Sequence, residues 1–404
     1  MADLLQKLAR LMRPRADEHD VKQSRVAPAI AFHTLGRPVW TPRDYAALAD
    51  EGFQRNAVAY RCVRAIAEAA ASVPWLLYEG PRELAEHPLL TLLERPNAGQ
   101  AGPDLFESWF GFLQVAGNAY LEQVSVDGRP RELYVLRPDR MKVVPGASGW
   151  PAAYEYAVNG RVTTIRCDAG SGESPVLHMR LFHPLDDHYG MSPLEAAATA
   201  IDIHNAAGGW NKALLDNAAR PSGALVYKGG EAGANLSDDQ FERLKRELAD
   251  NYTGQANAGR PLLLEGGLDW KPMGLSPKDM DFIGAKNAAA RDIALAFGVP
   301  PMLLGIPGDN TYANYREANR AFWRASVLPL LGRTARALTR WLAPHYEGGE
   351  RLRLWYDADA IEALSSEREA LWARVGGAGF LSDEEKREAV GYGRVSRPSS
   401  SARD

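Results

Sequence analysis

The sequence predicts an α+β fold in which helices dominate, and three observations support this class. Long segments carry apolar residues at helical spacing, as in Val58, Cys62 and Ile66. Residues 119–179 instead show short alternating polar and apolar runs separated by Gly, Pro and Asp, which is typical of antiparallel strands. The chain is 404 residues long and 46% hydrophobic, which is enough for a sizeable core.

The helices are predicted from apolar spacing combined with start signals. Ser192-Pro193 and Ser276-Pro277 each open a helix, because Ser can cap the first turn and Pro fits its first position. Ser192 with Glu195 also forms a capping-box pattern, and Thr41-Pro42 predicts a further start. The predicted helices occupy residues 56–72, 103–117, 192–217, 238–251, 276–297, 312–342, 359–374 and 382–390.

Two of these helices contain residues that disfavour a regular helix. Gly208-Gly209 is predicted to interrupt the helix at 192–217. Pro329 is predicted to bend the helix at 312–342, because an interior proline removes a hydrogen bond and clashes with the preceding turn.

Strands are predicted from alternation, and most of them fall in one block. The predicted strands occupy residues 75–78, 119–126, 128–136, 141–145, 154–158, 161–165, 176–182, 224–227, 261–265, 268–272 and 351–356. Residues 1–40 lack a sustained pattern and are predicted to form a flexible arm, and residues 394–404 a disordered tail. The apolar stretch within residues 1–16 is too short for a signal peptide, and no run of about 18 apolar residues predicts a membrane span.

The charge balance excludes one class of DNA-binding protein. The net charge is −4, whereas a protein that coats DNA normally has a large excess of Lys and Arg. A conduit along which DNA slides is compatible with this balance, because each neutralised phosphate would add affinity through counterion release. Cys62 and Cys167 have no metal-ligand spacing and no disulfide framework, so we expect small core residues made in a reducing cytosol.

The sequence carries no standard catalytic motif. The glycine-rich stretch at residues 229–233 lacks the lysine of a P-loop, and H-E-x-x-H, G-x-S-x-G and C-x-x-C are all absent. We therefore expect neither enzymatic activity nor a cofactor.

One polar cluster supports a different interpretation. His183, Asp186, Asp187 and His188 lie within six residues and could ligate a divalent metal in a metal-dependent enzyme. The competing interpretation is a polar loop between a strand and a helix, because metal ligands must also converge in space. Two solitary histidines are predicted to be structural: His178 and His204.

Several short strings of the sequence occur in an order shared with one protein family. They are FGVPPMLLG (297–305) with TYAN (311–314) and LPL (328–330), preceded by HPLLTLLERPN (87–97), GNAY (117–120), LRPDR (136–140) and GMSPL (190–194). With these strings the chain resembles the HK97-type portal proteins over residues 56–342. Each string alone is weakly specific, but their common order is strongly specific.

The resemblance implies a portal fold with an α/β wing, two stem helices, an α/β clip insertion, a long kinked helix after a tunnel loop, and a small helical crown. The implied divisions are a wing (41–191), a first stem helix (192–220), a clip (221–275), a second stem helix (276–298), a tunnel loop with the long helix (299–342), and a wing return with the crown (343–393).

The resemblance also implies candidate functional residues. The tunnel loop, which would project towards DNA, comprises Gly305, Ile306, Pro307, Gly308, Asp309, Asn310 and Thr311. Three charged residues of the second stem helix could contact DNA phosphates: Lys278, Lys286 and Arg291. They could equally be solvated helix charges or form ion pairs between subunits. Clip residues that would contact partners are Ser237, Asp238, Asp239, Phe241 and Tyr252.

The implied function is a homo-oligomeric ring of twelve at one capsid vertex, through which double-stranded DNA passes without sequence specificity. The implied partners are the large terminase, the major capsid protein and a head-completion or adaptor protein, in a virion or phage-like particle assembled in the bacterial cytoplasm. Besides the metal-dependent enzyme, a non-viral ring scaffold is an alternative. The excess of Arg over Lys indicates a GC-rich bacterial genome, which fits a phage, a prophage or a gene transfer agent.

Overall fold

The computed structural model describes residue 41 and residues 44–147, 149–168, 174–216, 223–227, 239–240, 242–246, 268–272, 282–308 and 312–391. Within these residues helices and strands mix as the α+β class predicts. The α-helices are α1 (Tyr45–Ala47), α2 (Ala57–Ala71), α3 (Pro88–Glu94), α4 (Gly102–Ala116), α5 (Pro193–Asp216), α6 (Phe282–Phe297), α7 (Tyr312–Phe322), α8 (Leu328–Leu342), α9 (Ser365–Gly376) and α10 (Asp383–Ala389). No helix in the described part of the chain is both long and apolar enough to cross a membrane.

The strands form small antiparallel sheets. They are β1 (Trp75–Glu79), β2 (Arg82–Leu84), β3 (Asn118–Val126), β4 (Arg129–Leu136), β5 (Met141–Pro145), β6 (Pro151–Val158), β7 (Arg161–Arg166), β8 (Val176–Arg180), β9 (Gly223–Tyr227), β10 (Leu268–Pro272) and β11 (Leu352–Tyr356). The strand orders are β11-β1-β2, β4-β3-β8, β5-β6-β7 and β10-β9. The strand predicted at residues 261–265 lies outside the described residues.

The sheet β11-β1-β2 joins distant parts of the chain. Trp75 in β1 is opposite Tyr356 in β11, and the register continues to Glu79 opposite Leu352. The C-terminal region therefore returns to the first strand of the chain. The helices predicted at residues 359–374 and 382–390 follow β11 as α9 and α10. A 3-10 turn (Glu362–Leu364) precedes α9, so this helix begins later than predicted.

One large hydrophobic core fixes the relative positions of the long helices. Helix α2 begins at Asn56, whose side chain accepts hydrogen bonds from the backbone of Val58 and Ala59. Its buried face repeats at helical spacing and packs against α4, which carries the fully buried Trp109 and Phe110. The core also takes side chains from the other long helices and from two sheets, including Leu77, Leu133, Leu194, Ile293, Leu331, Leu338 and Leu354.

A second, smaller cluster lies between two of the sheets. Tyr120 and Leu136 from the β4-β3-β8 sheet pack with Met141, Val143 and Tyr154 from the β5-β6-β7 sheet. The block of alternating sequence thus forms two sheets facing a shared core, a division that the alternation alone did not predict.

The structure corrects two predictions at helix ends and interruptions and adds a contact to a third. Thr41 is not a helix cap: its backbone N–H and hydroxyl both donate to the carboxylate of Asp202, and Asp44 caps α1 instead. Helix α5 runs through Gly208-Gly209 without a break. Ser192 accepts a hydrogen bond from the N–H of Leu194 (3.0 Å) and donates to the carbonyl of Gln114 (2.9 Å), so it is anchored by neighbouring chain as well as by its own helix.

The long helix departs from α-geometry just before Pro329. Residues Trp323–Val327 form a π-helical turn, and the N–H of Leu328 bonds to the carbonyl of Trp323 five residues earlier. This wide turn gives the proline ring the room that a regular α-helix would deny it. At the position where a bend was predicted, the structure therefore shows a change of helix type. A second π-helical turn, Leu48–Gln54, follows α1.

Candidate functional site

The candidate site lies where α6 ends and the chain turns towards α7. Gly298 has a φ of 66° and ends the helix, and a 3-10 turn (Pro301–Leu304) follows. Gly305, with a φ of 71°, then reverses the chain into the predicted tunnel loop. Residues 305–308 of that loop are described, whereas Asp309, Asn310 and Thr311 lie outside the described residues.

Helices α5 and α6, the two predicted stem helices, pack extensively against each other. Small side chains line the contact, which lets two backbones approach closely. The buried alanines of these helices are Ala197, Ala198, Ala200, Ala207, Ala289, Ala290 and Ala294. The support for the loop is thus a pair of helices whose buried positions are largely alanine.

The first half of the loop is anchored to α6. Ile306 is only 7% exposed and packs on Ala290 and Ala294. Its backbone N–H also donates to the carbonyl of Pro301 at 3.2 Å. Burying an isoleucine stabilises a contact by about 1.5–3 kcal/mol, so this residue is a fixed point and not part of a freely moving tip.

Arg291 holds the next residue of the loop. Its guanidinium Nη2 donates a short hydrogen bond to the carbonyl oxygen of Pro307. A Cβ atom at Gly308 would lie 2.8 Å from the same nitrogen, so the guanidinium covers this glycine. The residue predicted to skim phosphates therefore contacts the loop within its own chain.

The end of α6 is also tied to the π-helical turn. The Ser326 hydroxyl donates to the carbonyl oxygen of Gly298 at 2.6 Å, and a Cβ at Gly298 would lie 2.8 Å from that hydroxyl. The end of α6 is therefore tied to the π-helical turn as well as to the loop.

Lys286 lies beside the first stem helix. Its charge contributes, after burial, to lowering the pKa of His204 on α5. The buried Asn56 connects this histidine to the rest of the chain, because its Nδ2 lies 3.1 Å from His204 Nδ1 and 2.9 Å from Asn205 Oδ1. The solitary His204 is thus structural, as predicted. Lys278 lies outside the described residues.

Two of the recognised strings meet at the start of the first stem helix. The N–H of Gly190 donates to Asn118 Oδ1 (2.8 Å), while Asn118 Nδ2 donates to the carbonyl oxygens of Ala116 (2.8 Å) and Gly190 (3.2 Å). At Gly117, with a φ of 69°, a Cβ would lie 2.5 Å from the Gly190 oxygen, so only glycine fits. The GNAY and GMSPL strings thereby join the β-sheet to α5.

His178 completes this junction. Its Nε2 lies 2.9 Å from Asn118 Oδ1, and its ring stacks on Tyr120 with centroids 4.2 Å apart. Burial lowers the pKa of His178 to about 3, with smaller contributions from the charges of Arg180 and His188. The histidine is therefore neutral, and because Asn118 Oδ1 can only accept, Nε2 carries the proton.

The structure does not bring the residues of the alternative metal site together. His183, Asp186, Asp187 and His188 are all described, and among the described residues no group of three or more His, Cys, Asp or Glu side chains could hold a metal ion. Their polar atoms serve the loop instead. Asp186 Oδ1 accepts from the backbone of His188 (2.7 Å) and Tyr189 (2.9 Å), which also lowers the pKa of Asp186. His183 Nδ1 accepts from the backbone of Leu185, the arrangement of a polar turn.

The predicted clip residues are described only in part. Asp239 is exposed and helical, and residues 242–246 are also helical. Strands β9 and β10 pair antiparallel, with Gly223 opposite Pro272. The other predicted clip residues lie outside the described residues: Ser237, Asp238, Phe241 and Tyr252.

Sequence reasoning missed the residues that hold the site together. Ile306 was assigned to the loop by position, although one apolar residue among Gly, Pro and Asp signals an anchor. Ser326 carried no signal, because its partner lies 28 residues away. Asn118 could have been found, since a buried amide next to a glycine with positive φ is a common way to pair free backbone groups.

The comparisons with known proteins place this geometry in one family. The family model "Phage portal protein" matches residues 57–391. The chain belongs to the phage portal protein family. The resemblance seen in the sequence is confirmed, and with it a capsid portal role and a place in a phage or gene transfer agent particle.

Three similar proteins support this membership of the portal family. A chain in the neck of an empty gene transfer agent particle, computed with C6 symmetry, is 56% identical, with a TM-score of 0.70. A chain in the neck of the native particle, computed with C12 symmetry, is 55% identical, with a TM-score of 0.67. Each match covers 89% of this chain and 96% of the other. The portal protein of Enterobacteria phage HK97 is 24% identical over 84% of this chain and 79% of its own length.

Proposed function

We propose that twelve copies of this chain form a closed ring through which double-stranded DNA enters and leaves a particle. The loop at residues 305–311 would line the narrowest part of the channel. The observation that carries this proposal is the construction of the loop, which is anchored at Ile306 on a rigid helix pair and held again at Pro307. A fixed base at residues 306 and 307 suits a constriction that must keep its place while DNA moves past.

The ring proposal draws on the relatives and on the surface of the chain. The necks that contain the 55–56% identical chains were computed with C6 and C12 symmetry. A closed ring needs two different complementary faces on each subunit. Several large apolar side chains among the described residues are exposed and available for such faces: Phe182, Leu185, Ile203, Ile283 and Leu295.

The proposed partners follow from the portal role. The clip would dock the large terminase during packaging and a head-completion or adaptor protein afterwards, and the wing would contact the major capsid protein. DNA would be contacted through phosphates without base readout, which fits the net charge of −4. The ATP hydrolysis would belong to the motor, so the chain itself acts without catalysis.

Among the possible particles, a gene transfer agent is favoured. Identity to the gene transfer agent neck chains is 55–56%, against 24% to the phage HK97 portal protein and 27% to the probable portal protein of Streptomyces phage phiC31. We therefore expect packaged DNA to be largely host DNA, which sequencing of purified particles measures directly. Particles that contain mainly the gene cluster of the particle itself would identify a phage.

The ring is tested by the mass and shape of the purified full-length chain. Light scattering and negative-stain electron microscopy should show rings of about twelve subunits with a central hole. Co-expression with the capsid protein provides a second condition for assembly. A chain that stays monomeric in both conditions would refute the ring.

The loop assignment is tested by shortening it in the particle-producing host. The deletion should remove residues 309–311 and keep Ile306, because loss of that buried side chain would expose the apolar face of α6. We expect normal rings but reduced DNA packaging or retention. Normal packaging with the shortened loop would contradict the assignment without affecting the ring.

A further inference from the structure

Arg291 stands apart from the other charged residues of the second stem helix. It lies on α6 about one turn from Ala294, the residue on which Ile306 packs. Its guanidinium reaches across to the carbonyl oxygen of Pro307, sixteen residues further along the chain. The loop is therefore attached to α6 at two consecutive residues, by an apolar contact and by a charged hydrogen bond.

Gly308 makes the second attachment specific. A Cβ at this position would lie 2.8 Å from Arg291 Nη2, 3.8 Å from Cζ and 3.9 Å from Nη1. The guanidinium thus lies over the bare backbone of the glycine. Gly308 is not a residue with positive φ, so its small size serves this contact and not an unusual backbone conformation.

The competing use of Arg291 is a direct contact with DNA phosphate. A guanidinium has five N–H donors, so a bond to one carbonyl does not exhaust it. A bond to a carbonyl nevertheless fixes the side chain against α6 and directs it along its own subunit. The two uses can be distinguished in the absence of DNA. A phosphate contact then cannot form, whereas the bond to Pro307 still holds the loop against α6.

We infer that Arg291 is a positioning residue that latches the exit of the loop at Pro307 and Gly308, where the loop leads towards the proposed DNA channel. Ile306 fixes where the loop starts, and Arg291 fixes the direction in which it leaves the helix. The contact between Arg291 and Pro307 is a property of the isolated chain. Only its effect on the passage of DNA rests on the proposed function.

Hydrogen exchange of the full-length wild-type chain and variants, without DNA, tests the latch. In Arg291→Gln the amide of Gly308 should exchange at least roughly tenfold faster, as expected for loss of one hydrogen bond to a charged group. The Ile306 amide, which bonds to Pro301, should keep its protection. Arg291→Lys should restore only part of the protection, because a single ammonium cannot reproduce the planar fork.

Two further variants separate the bond from the charge. Lys286→Gln removes a positive charge from the same helix but leaves the Pro307 contact intact, so loop exchange should not change. Gly308→Ala keeps Arg291 but inserts a methyl group where the guanidinium lies, so exchange should rise as in Arg291→Gln. This second route keeps the test valid if Arg291→Gln does not fold.

The outcomes distinguish the latch from the portal proposal. Unchanged exchange in both Arg291→Gln and Gly308→Ala, or an equal rise in Lys286→Gln, would overturn the latch. Faster exchange together with reduced packaging in the particle-producing host supports the latch and its use in DNA passage. Faster exchange with normal packaging supports the latch and counts against the channel role of the loop.

Discussion

At the scale of single residues, the molecule relies on buried amides and glycines to join its parts. Asn118 is only 6% exposed and uses both ends of its amide, with Oδ1 accepting and Nδ2 donating. Its partners belong to a helix end, a strand and the segment before α5. Because an unpaired polar group is costly inside a protein, one side chain here determines how three segments meet.

Replacing this amide should therefore weaken the fold. Asn118→Ala leaves the N–H of Gly190 and the Nε2–H of His178 without their acceptor, so we expect the free energy of unfolding to fall by about 2–4 kcal/mol. Urea unfolding followed by circular dichroism measures this. The control, Ser125→Ala on the exposed end of the same strand, should change stability by less than about 0.5 kcal/mol. Equal stability of the two variants would contradict the role of Asn118.

The buried His178 predicts a pH dependence with a definite sign. Its pKa is about 3 in the folded chain and about 6.5 when unfolded, so the fold excludes a proton that the unfolded chain takes up. The stabilisation is complete above pH 6.5. It is lost as pH falls towards 3, by about 1.4 kcal/mol for each pH unit.

The His178→Gln variant tests this dependence. Its free energy of unfolding should depend less steeply on pH between 6 and 4, by about 1.4 kcal/mol per unit, because carboxylate titration is common to both proteins. Ser125→Ala, which changes no titrating side chain, serves as the control and should keep the wild-type slope. An unchanged slope in His178→Gln would show that this histidine is protonated in the fold.

At the scale of helices and strands, local signals predicted most elements, and their limits are physical. Asn56 caps α2 and Ser382 caps α10 where the sequence indicated helix starts, since a capping side chain acts within three residues. Alternation located the strands but not their division into two sheets, because pairing depends on distant partners. The prediction that Thr41 caps a helix was wrong for the same reason, because its hydrogen-bond partner, Asp202, is 161 residues away in the sequence.

The candidate loop shows the same limit. Its position followed from Gly305 and from the strings around it, and the structure confirms a turn there. Its attachment to α6 through Ile306 and Arg291 depends on side chains that meet only after the chain has folded back. The π-helical turn was equally hidden, because Pro329 predicts an irregularity but not which kind.

The contact between α6 and this π-helical turn gives a prediction at the element scale. Gly298→Ala should cost roughly 1–2 kcal/mol for its positive φ, and more because the new Cβ displaces the Ser326 hydroxyl. In a Ser326→Ala background that displacement is absent, since the next atom lies 3.9 Å away. The double variant should therefore be less destabilised than the sum of the single variants, by about 0.5–1.5 kcal/mol.

A double-mutant cycle measured by urea unfolding provides this comparison. Gly111→Ala is the matched control, because it lies inside α4 with no atom within 4 Å of the new Cβ. It should stabilise the chain by about 0.5–1 kcal/mol through the helix preference of alanine. Strict additivity of Gly298→Ala and Ser326→Ala would show that the two residues are not coupled.

At the scale of the whole molecule, the chain shows a surface that its own fold leaves unused. Phe182 and Leu185 are 83% and 91% exposed on the loop before α5. The loop is nevertheless well ordered, because Asp186 bonds to two following amides and the Tyr189 hydroxyl accepts from Val143 at 2.9 Å. Large apolar side chains on a rigid exposed loop are typical of a surface that is covered by a partner.

A second copy of the chain is the partner that the portal family indicates, and the double variant Phe182→Ser with Leu185→Ser tests it. We expect the subunits to keep wild-type stability in urea, because two side chains this exposed contribute little to their own fold. Ring formation measured by sedimentation should require at least about tenfold more protein, since losing two apolar anchors weakens each interface by more than 1.4 kcal/mol. Asp187→Ser, a polar change on the same exposed loop, controls for altered loop chemistry and should assemble normally. A closed ring repeats the same contact at every subunit, so a loss of affinity at that contact is multiplied around the ring. Rings that form at the wild-type concentration in the double variant would therefore place the subunit interface elsewhere.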